Sequence, residues 1–319
     1  MTQLQRGWTS IPYRPEFRDS KYPYDAVVAF DIANSNGYRA TMTTPFDTTD
    51  LTPRIGSEVR TDRAALLSGK LNAPFRELLE ARGVLVFRDL AITDDELQAF
   101  GQSVGQLQGG STYQGAIFKV TFDAEHNPHG KTYLDGTFEW HIDRTDADTP
   151  PFGSLLTPRV LPPSGGDTEF ANTYAAYEAL PEADKRLVES LRVEHRVEAP
   201  IRKQTPNPTP EQERAWKLKA PKIHPMVWLH KSGRRSLVLG GSAVRVVGMP
   251  EAESDALLAR LMDWSLQRQY VYRHHWRMGD LVIWDNTGTM HRAMPFDTTS
   301  GRRLHRVTVE GEEPIVAVG

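Results

Sequence analysis

Three residues of this chain could hold one metal ion between them: His141, Asp143 and His291. Two imidazoles and one carboxylate on one side of a metal leave its other positions open, and this ligand set suits Fe(II) in non-haem oxygenases. In Trp140-His141-Ile142-Asp143 apolar and polar residues alternate. At a strand end, where the side-chain period is two, His141 and Asp143 face the same way. His291 would join them from a strand far along the chain. A single His-x-Asp is common as a surface or capping pair. On composition His126, His129, His195, His224, His230, His274, His275 and His305 are equal candidates. His274-His275 looks metal-like, but adjacent strand residues point to opposite faces, which predicts one buried and one exposed. The triad stands out by its surroundings: Gly166-Asp167-Thr168 follows the first two members, Trp284-Asp285-Asn286 precedes His291, and Arg302 follows it.

Short elements must position these residues. Phe75, Leu78 and Leu79 recur at helical spacing in 73–82, and Gly83 is a stop. Val84-Leu85-Val86-Phe87 reads as a buried strand. Thr93 and Glu96 form a capping box that starts a helix running to about Ser103. Residues 105–139 read as a long polar, glycine-rich loop with one strand-like run at 116–122, and such a loop is more often functional than idle. Strands are expected at 154–156, 168–170, 236–239, 270–276, 281–284 and 303–309. Helices are expected at 181–191 and 250–267, each with Pro in its first turn. The Pro-, Lys- and Glu-dense stretch 201–222 reads as an exposed loop or lid. Many short strands with few flanking helices, and no strand–helix alternation, predict a mainly β fold with flanking helices and a jelly-roll core.

The chain has 319 residues, a net charge of −3 and no cysteine. Disulfides, thiolate zinc sites and cysteine nucleophiles are therefore excluded. No basic stripe points to nucleic acid, and no run is apolar enough for a signal peptide or a membrane span. The expectation is a cytoplasmic protein that acts on a small molecule, with an irregular arm over 1–50 and a single domain over 51–319.

Taken together, these residues resemble the Fe(II)/2-oxoglutarate-dependent dioxygenases of the taurine dioxygenase/2,4-dichlorophenoxyacetate dioxygenase family. The likeness runs over 51–314. It is carried by Gly83-Val-Leu-Val-Phe-Arg-Asp-Leu90, Trp140-His-x-Asp143, Pro150-Pro151, Gly165-Gly-Asp-Thr168, Ala175-Ala-Tyr-Glu-Ala-Leu180, Trp284-Asp-Asn286, His291, and Arg302 with Arg306. Each piece is weak, but their order and spacing are specific. The resemblance implies a double-stranded β-helix (jelly-roll, cupin-like) core, iron held by His141, Asp143 and His291, and 2-oxoglutarate contacted by Thr168 and Arg302. It also implies O2 as a reactant, succinate and CO2 as products, and a homo-oligomer, dimer or tetramer. Arginine suits the far carboxylate of 2-oxoglutarate because its planar fork binds bidentately and keeps its charge when desolvated. A threonine hydroxyl can donate to the same group.

Arg302, Leu304 and Arg306 share one strand face, and Arg303 and His305 take the other. In the family the second arginine often meets an anionic group of the prime substrate. The alternative for Arg306 is neutralisation of a buried carboxylate such as Asp285. A carboxylate at 143 favours hydroxylation or desaturation over halogenation, since related halogenases carry a small residue there. The stretch Gly105-Gln-Leu-Gln-Gly-Gly110 lacks the histidine of sulfonate-using members, which points away from taurine. Tyr113, Phe118, Phe122, Tyr133 and Phe138 could instead line a larger, apolar pocket or belong to ordinary core. Two other readings are a cupin-type metal enzyme that does not use 2-oxoglutarate and a non-catalytic jelly-roll binding protein.

Overall fold

The computed structural model describes residues 44–109 and 117–319. Its first elements are the antiparallel strands β1 (Asp47–Asp50) and β2 (Ser57–Arg60), so the end of the stretch read as an irregular arm is paired strand. Residues 1–43 lie outside the described part. Helices α1 (Arg63–Leu67) and α2 (Asn72–Arg82) lead into β3 (Val84–Phe87), and α3 (Asp94–Val104) follows. Both halves of the Thr93/Glu96 capping box are formed. The loop 105–139 holds β4 (Phe118–Val120), the short α4 (Gly130–Tyr133) and a 3-10 turn over Leu134–Phe138.

Next come β5 (Gly153–Val160), β6 (Thr168–Asn172), α5 (Thr173–Glu178), α6 (Glu182–Glu189) and β7 (Arg192–His195). The stretch 201–222 departs from the expected loop. It folds as most of α7 (Glu198–Gln204), then α8 (Pro210–Lys217), and runs into β8 (Lys222–Pro225). Its proline density does not prevent helix. Pro210 sits in the first turn of α8, where its missing N–H costs nothing, behind a Thr209/Gln212 capping box. The remainder is β9 (Val227–Leu229), β10 (Arg235–Leu237), β11 (Ala243–Val246), α9 (Glu251–Ser265), β12 (Val271–His274), β13 (Leu281–Asp285), β14 (Thr289–Ala293) and β15 (Arg303–Val309).

A seven-stranded sheet runs β1-β2-β3-β13-β5-β15-β4, and a three-stranded sheet runs β12-β6-β14. Strand alternation divides the large sheet cleanly. Leu85, Phe87, Leu155, Leu281, Ile283, Val307 and Val309 pack on Phe75, Leu79, Leu97 and Phe100 of α2 and α3. Val84, Val86, Leu156, Val282, Trp284 and Leu304 turn the other way and meet Phe170 and Tyr272 of the small sheet. The small sheet's far side contributes Ala171 and Met290 to a third cluster with α5 and α9. On that far side Glu169 is held in register by Arg273 of β12 and Arg292 of β14, a cation–carboxylate–cation ladder across three strands. Such cross-strand pairs fix register. That matters because β6 and β14 carry Thr168 and His291 on the opposite, inner face. Among the described residues no helix is long and apolar enough to cross a membrane.

Candidate active site

His141 and His291 are neighbours through their backbones. His141 N–H donates to His291 O at 3.0 Å, and His291 N–H donates to His141 O at 2.9 Å. This one bridge is all the pairing at Trp140–Asp143, which does not extend as a strand. The expected alternation still holds: Trp140 and Ile142 are buried in the helix-side core, and His141 and Asp143 turn the other way. Arg144 then takes a left-handed φ of 60° and the chain turns away. His141 Nε2 lies 3.7 Å from Asp143 Oδ1, and His291 Nε2 lies 3.8 Å from Asp143 Oδ2. The three ligand atoms lie within 4.8 Å of one another, near enough to share one ion.

The surroundings prepare these groups as ligands. His141 Nδ1 lies 2.8 Å from Glu139 O, which fixes a tautomer with Nδ1–H donating and leaves Nε2 with a free lone pair. Burial, with His141 alongside, drives the His291 imidazole well below its ordinary range, so it is neutral. Burial would raise the Asp143 carboxyl, but Arg306 and the two imidazoles outweigh it and bring it down to about 2. Asp143 is therefore an ionised oxygen donor between the two imidazoles.

Two positioning groups carry no ligand atom. Asn286 accepts from Asp143 N–H at 2.8 Å and donates through Nδ2 to Asp143 O and Pro151 O, each at 3.1 Å. It clamps the ligand's backbone from both sides. Gly241 N–H donates to Trp140 O, and a Cβ on its neighbour Gly240 would stand 2.9 Å from Trp140 O and 3.1 Å from His141 Cα. The backbone comes this close to the ligand strand only because glycine is there. Asn286 stood within a motif seen in the sequence, but its task did not; Gly240-Gly241 gave no signal beyond the dipeptide.

Arg302 is 4% exposed. Its Nη2 donates to Gly166 O at 2.9 Å, its guanidinium lies 4.6 Å over the Phe296 ring, and its Nε has no partner. No carboxylate among the described residues is within ion-pair distance of it, and burial lowers its pKa to about 10. Gly166 makes room: φ is +74°, and a Cβ there would lie 2.8 Å from Arg302 Nε. Thr168 faces inward, its hydroxyl accepting from Trp276 Nε1 at 3.0 Å.

Arg306 pairs with a carboxylate, as one of the two expectations had it, but with Asp143 rather than Asp285. Its Nη1 donates to Asp143 Oδ2 at 3.1 Å, while its Nε is buried without a partner. Asp285 is engaged elsewhere. It accepts from Thr287 and Gly288 in the turn between β13 and β14, and burial raises it to about 6. Of the loop aromatics, Phe122 and Phe138 stack at 6.1 Å, and both meet Phe296 at 6.0 Å. Phe118 lies under Arg306 at 5.1 Å. Tyr113 lies outside the described residues. His274, the last residue of β12, is fully buried and His275 just beyond it is exposed, and His274 pairs with Asp280 rather than with the triad.

Comparison with known proteins gives a consistent result. A family model described as taurine catabolism dioxygenase TauD, TfdA family matches residues 47–308. An alpha-ketoglutarate-dependent 2,4-dichlorophenoxyacetate dioxygenase of Burkholderia sp. (strain RASC) is 35% identical over 269 residues, covering 78% of this chain and 90% of its own. An alpha-ketoglutarate-dependent sulfate ester dioxygenase of Pseudomonas putida is 33% identical over 276 residues, 82% of this chain and 88% of its own. Among solved structures, AAD-2 in complex with Mn(II) and N-oxalylglycine superposes with a TM-score of 0.72 at 30% identity, covering 85% of this chain and 99% of that one.

Proposed function

The chain belongs to the TauD, TfdA family of dioxygenases, and from that premise we propose that His141, Asp143 and His291 hold Fe(II), that Arg302 with Thr168 binds 2-oxoglutarate, and that Arg306 meets an organic anion as prime substrate. The protein is a 2-oxoglutarate-dependent dioxygenase, which sets aside both the cupin-type enzyme without 2-oxoglutarate and the non-catalytic binding protein. The two facing sheets support a jelly-roll, double-stranded β-helix reading of the core. The observation that carries the co-substrate assignment is Arg302: a buried guanidinium without a carboxylate partner is costly, and an entering carboxylate would relieve that cost. The Thr168 hydroxyl already accepts from Trp276, which leaves its own hydrogen free to donate.

When bound, Fe(II) with 2-oxoglutarate and O2 supplies oxidative decarboxylation to succinate and CO2 and the oxidising power to hydroxylate a C–H bond. The chain's own residues set geometry and polarity. Glu139 O holds the His141 ring, Asn286 holds Asp143, and Arg306 keeps that carboxylate ionised while its remaining N–H groups are left for a substrate anion. The cluster of Phe122, Phe138 and Phe296 on the Arg302 side, with Phe118 against Arg306, favours a substrate with an apolar body behind its charge. The relatives named for 2,4-dichlorophenoxyacetate and sulfate esters use molecules of that description. Without oxygen, Fe(II) and 2-oxoglutarate should give a visible charge-transfer band that His141→Ala abolishes. With oxygen, an aryloxy acid or alkyl sulfate should drive succinate release. Wild-type protein that gives no band and binds no 2-oxoglutarate would overturn the assignment.

A further inference from the structure

The inner face of β15 leads to the active site; its outer face builds a second, separate feature. His305 and Arg303 point away from Leu304 and Arg306 and line a cavity of about 420 Å³ together with Lys119, His126, Arg159 and Asp94. The strands bring these groups together. Lys119 of β4 is the direct cross-strand partner of His305. On the other side, the β5–β15 register slips between Arg303 and Leu304, which pair with Val160 and Pro158 and leave Arg159 unmatched. A bulge of this kind re-aims the extra side chain, and Arg159 reaches Asp94 through Nε at 3.1 Å and Nη2 at 2.6 Å.

The charges do not balance. Asp94 is the one acidic residue lining the cavity, and Arg159 and the His305 Nδ1, at 2.8 Å, already engage it. Lys119 and Arg303 have no carboxylate within ion-pair distance among the described residues. His305 is 7% exposed, yet its Nε2 has no hydrogen-bond partner. Two cations without a carboxylate partner in one cavity match a ligand that offers several anionic oxygens. The volume is within the range of small-molecule sites.

We propose that this cavity on the outer face of β15 binds a phosphate group, with Lys119 and Arg303 contacting its oxygens. The site is independent of the metal centre, but it shares a strand with Arg302 and Arg306. Two sources of the group are open to the chemistry, free phosphate and the phosphate of a small organic monoester.

The test is calorimetric titration of the full chain with inorganic phosphate and with phenyl phosphate, at constant ionic strength. Wild-type protein should bind at one site. The pair Arg303→Gln with Lys119→Gln, one half-buried and one exposed, should weaken binding at least tenfold while the circular dichroism spectrum is unchanged, and Arg302→Gln should bind as wild type does. Tighter binding of phenyl phosphate would identify an organic monoester as the ligand, and equal binding would identify free phosphate. The proposal fails if wild-type protein shows no binding, if the double variant titrates like wild type, or if Arg302→Gln alone removes binding, which would move the anion to the 2-oxoglutarate pocket.

Discussion

Arg306 touches a proposed metal ligand and also lines the space assigned to substrate, so its two duties need separate readouts. Its bond to Asp143 bears on metal affinity; its buried, unpartnered Nε and remaining N–H groups bear on substrate. With Fe(II) saturating, Arg306→Gln is expected to raise KM for the anionic substrate roughly 10- to 100-fold, the loss of a charge-assisted hydrogen bond of about 1.5–3 kcal/mol. The dissociation constant of 2-oxoglutarate should move far less. If 2-oxoglutarate binding is hit harder than KM, the roles of Arg302 and Arg306 are reversed. Asp143 needs no such separation: its ionised state follows from the cations and imidazoles around it and persists down to a pH of about 2.

At the scale of elements, the turn into β6 decides where Arg302 can stand. Gly166 has left-handed backbone and gives its carbonyl to Arg302, and nothing larger than hydrogen fits between them. Gly166→Ala should therefore displace the guanidinium and weaken 2-oxoglutarate on the order of 10- to 100-fold, as small misplacements at a reacting site do. Fe(II) affinity in the absence of 2-oxoglutarate should stay near wild type, because the triad sits on other segments. A metal titration followed by a 2-oxoglutarate titration tells the two apart, and equal losses in both would mean that the turn supports the whole core. The Arg273–Glu169–Arg292 ladder holds β12, β6 and β14 in the one register that places Phe170 beside His291. A slip of one residue would send Thr168 and Phe170 to the helix side.

Across the whole molecule, ligands that bind at the triad and at Arg302, a buried cation with no carboxylate partner among the described residues, should stabilise the fold. A ligand at 100 times its dissociation constant adds about 2.7 kcal/mol. Anaerobic Fe(II) should raise the melting temperature, and 2-oxoglutarate should raise it again. Arg302→Ala should keep the first increment and lose the second, whereas His291→Ala should lose both. Retention of the second increment by Arg302→Ala would place the far carboxylate elsewhere. Much of this molecule was legible in the chain itself. Alternation marked His141 with Asp143 and separated Arg302 and Arg306 from Arg303 and His305. The Thr93/Glu96 box started α3, and the apolar runs at 84–87 and 281–284 and the strand-like run at 303–309 marked their strands, because all of these are local patterns. Other features depended on pairings between distant residues. Trp140–Asp143 is one bridge to His291 rather than a strand. The proline-dense stretch read as a loop holds a capped helix that begins at Pro210. Arg306 meets Asp143, not Asp285, and Arg159 is turned toward Asp94 by a register slip that exists only between two strands. Residue type and short-range spacing determine which chemistry is available; only long-range packing decides which partner each charged group meets, because burial and the neighbours that come with it are set by residues far away in sequence.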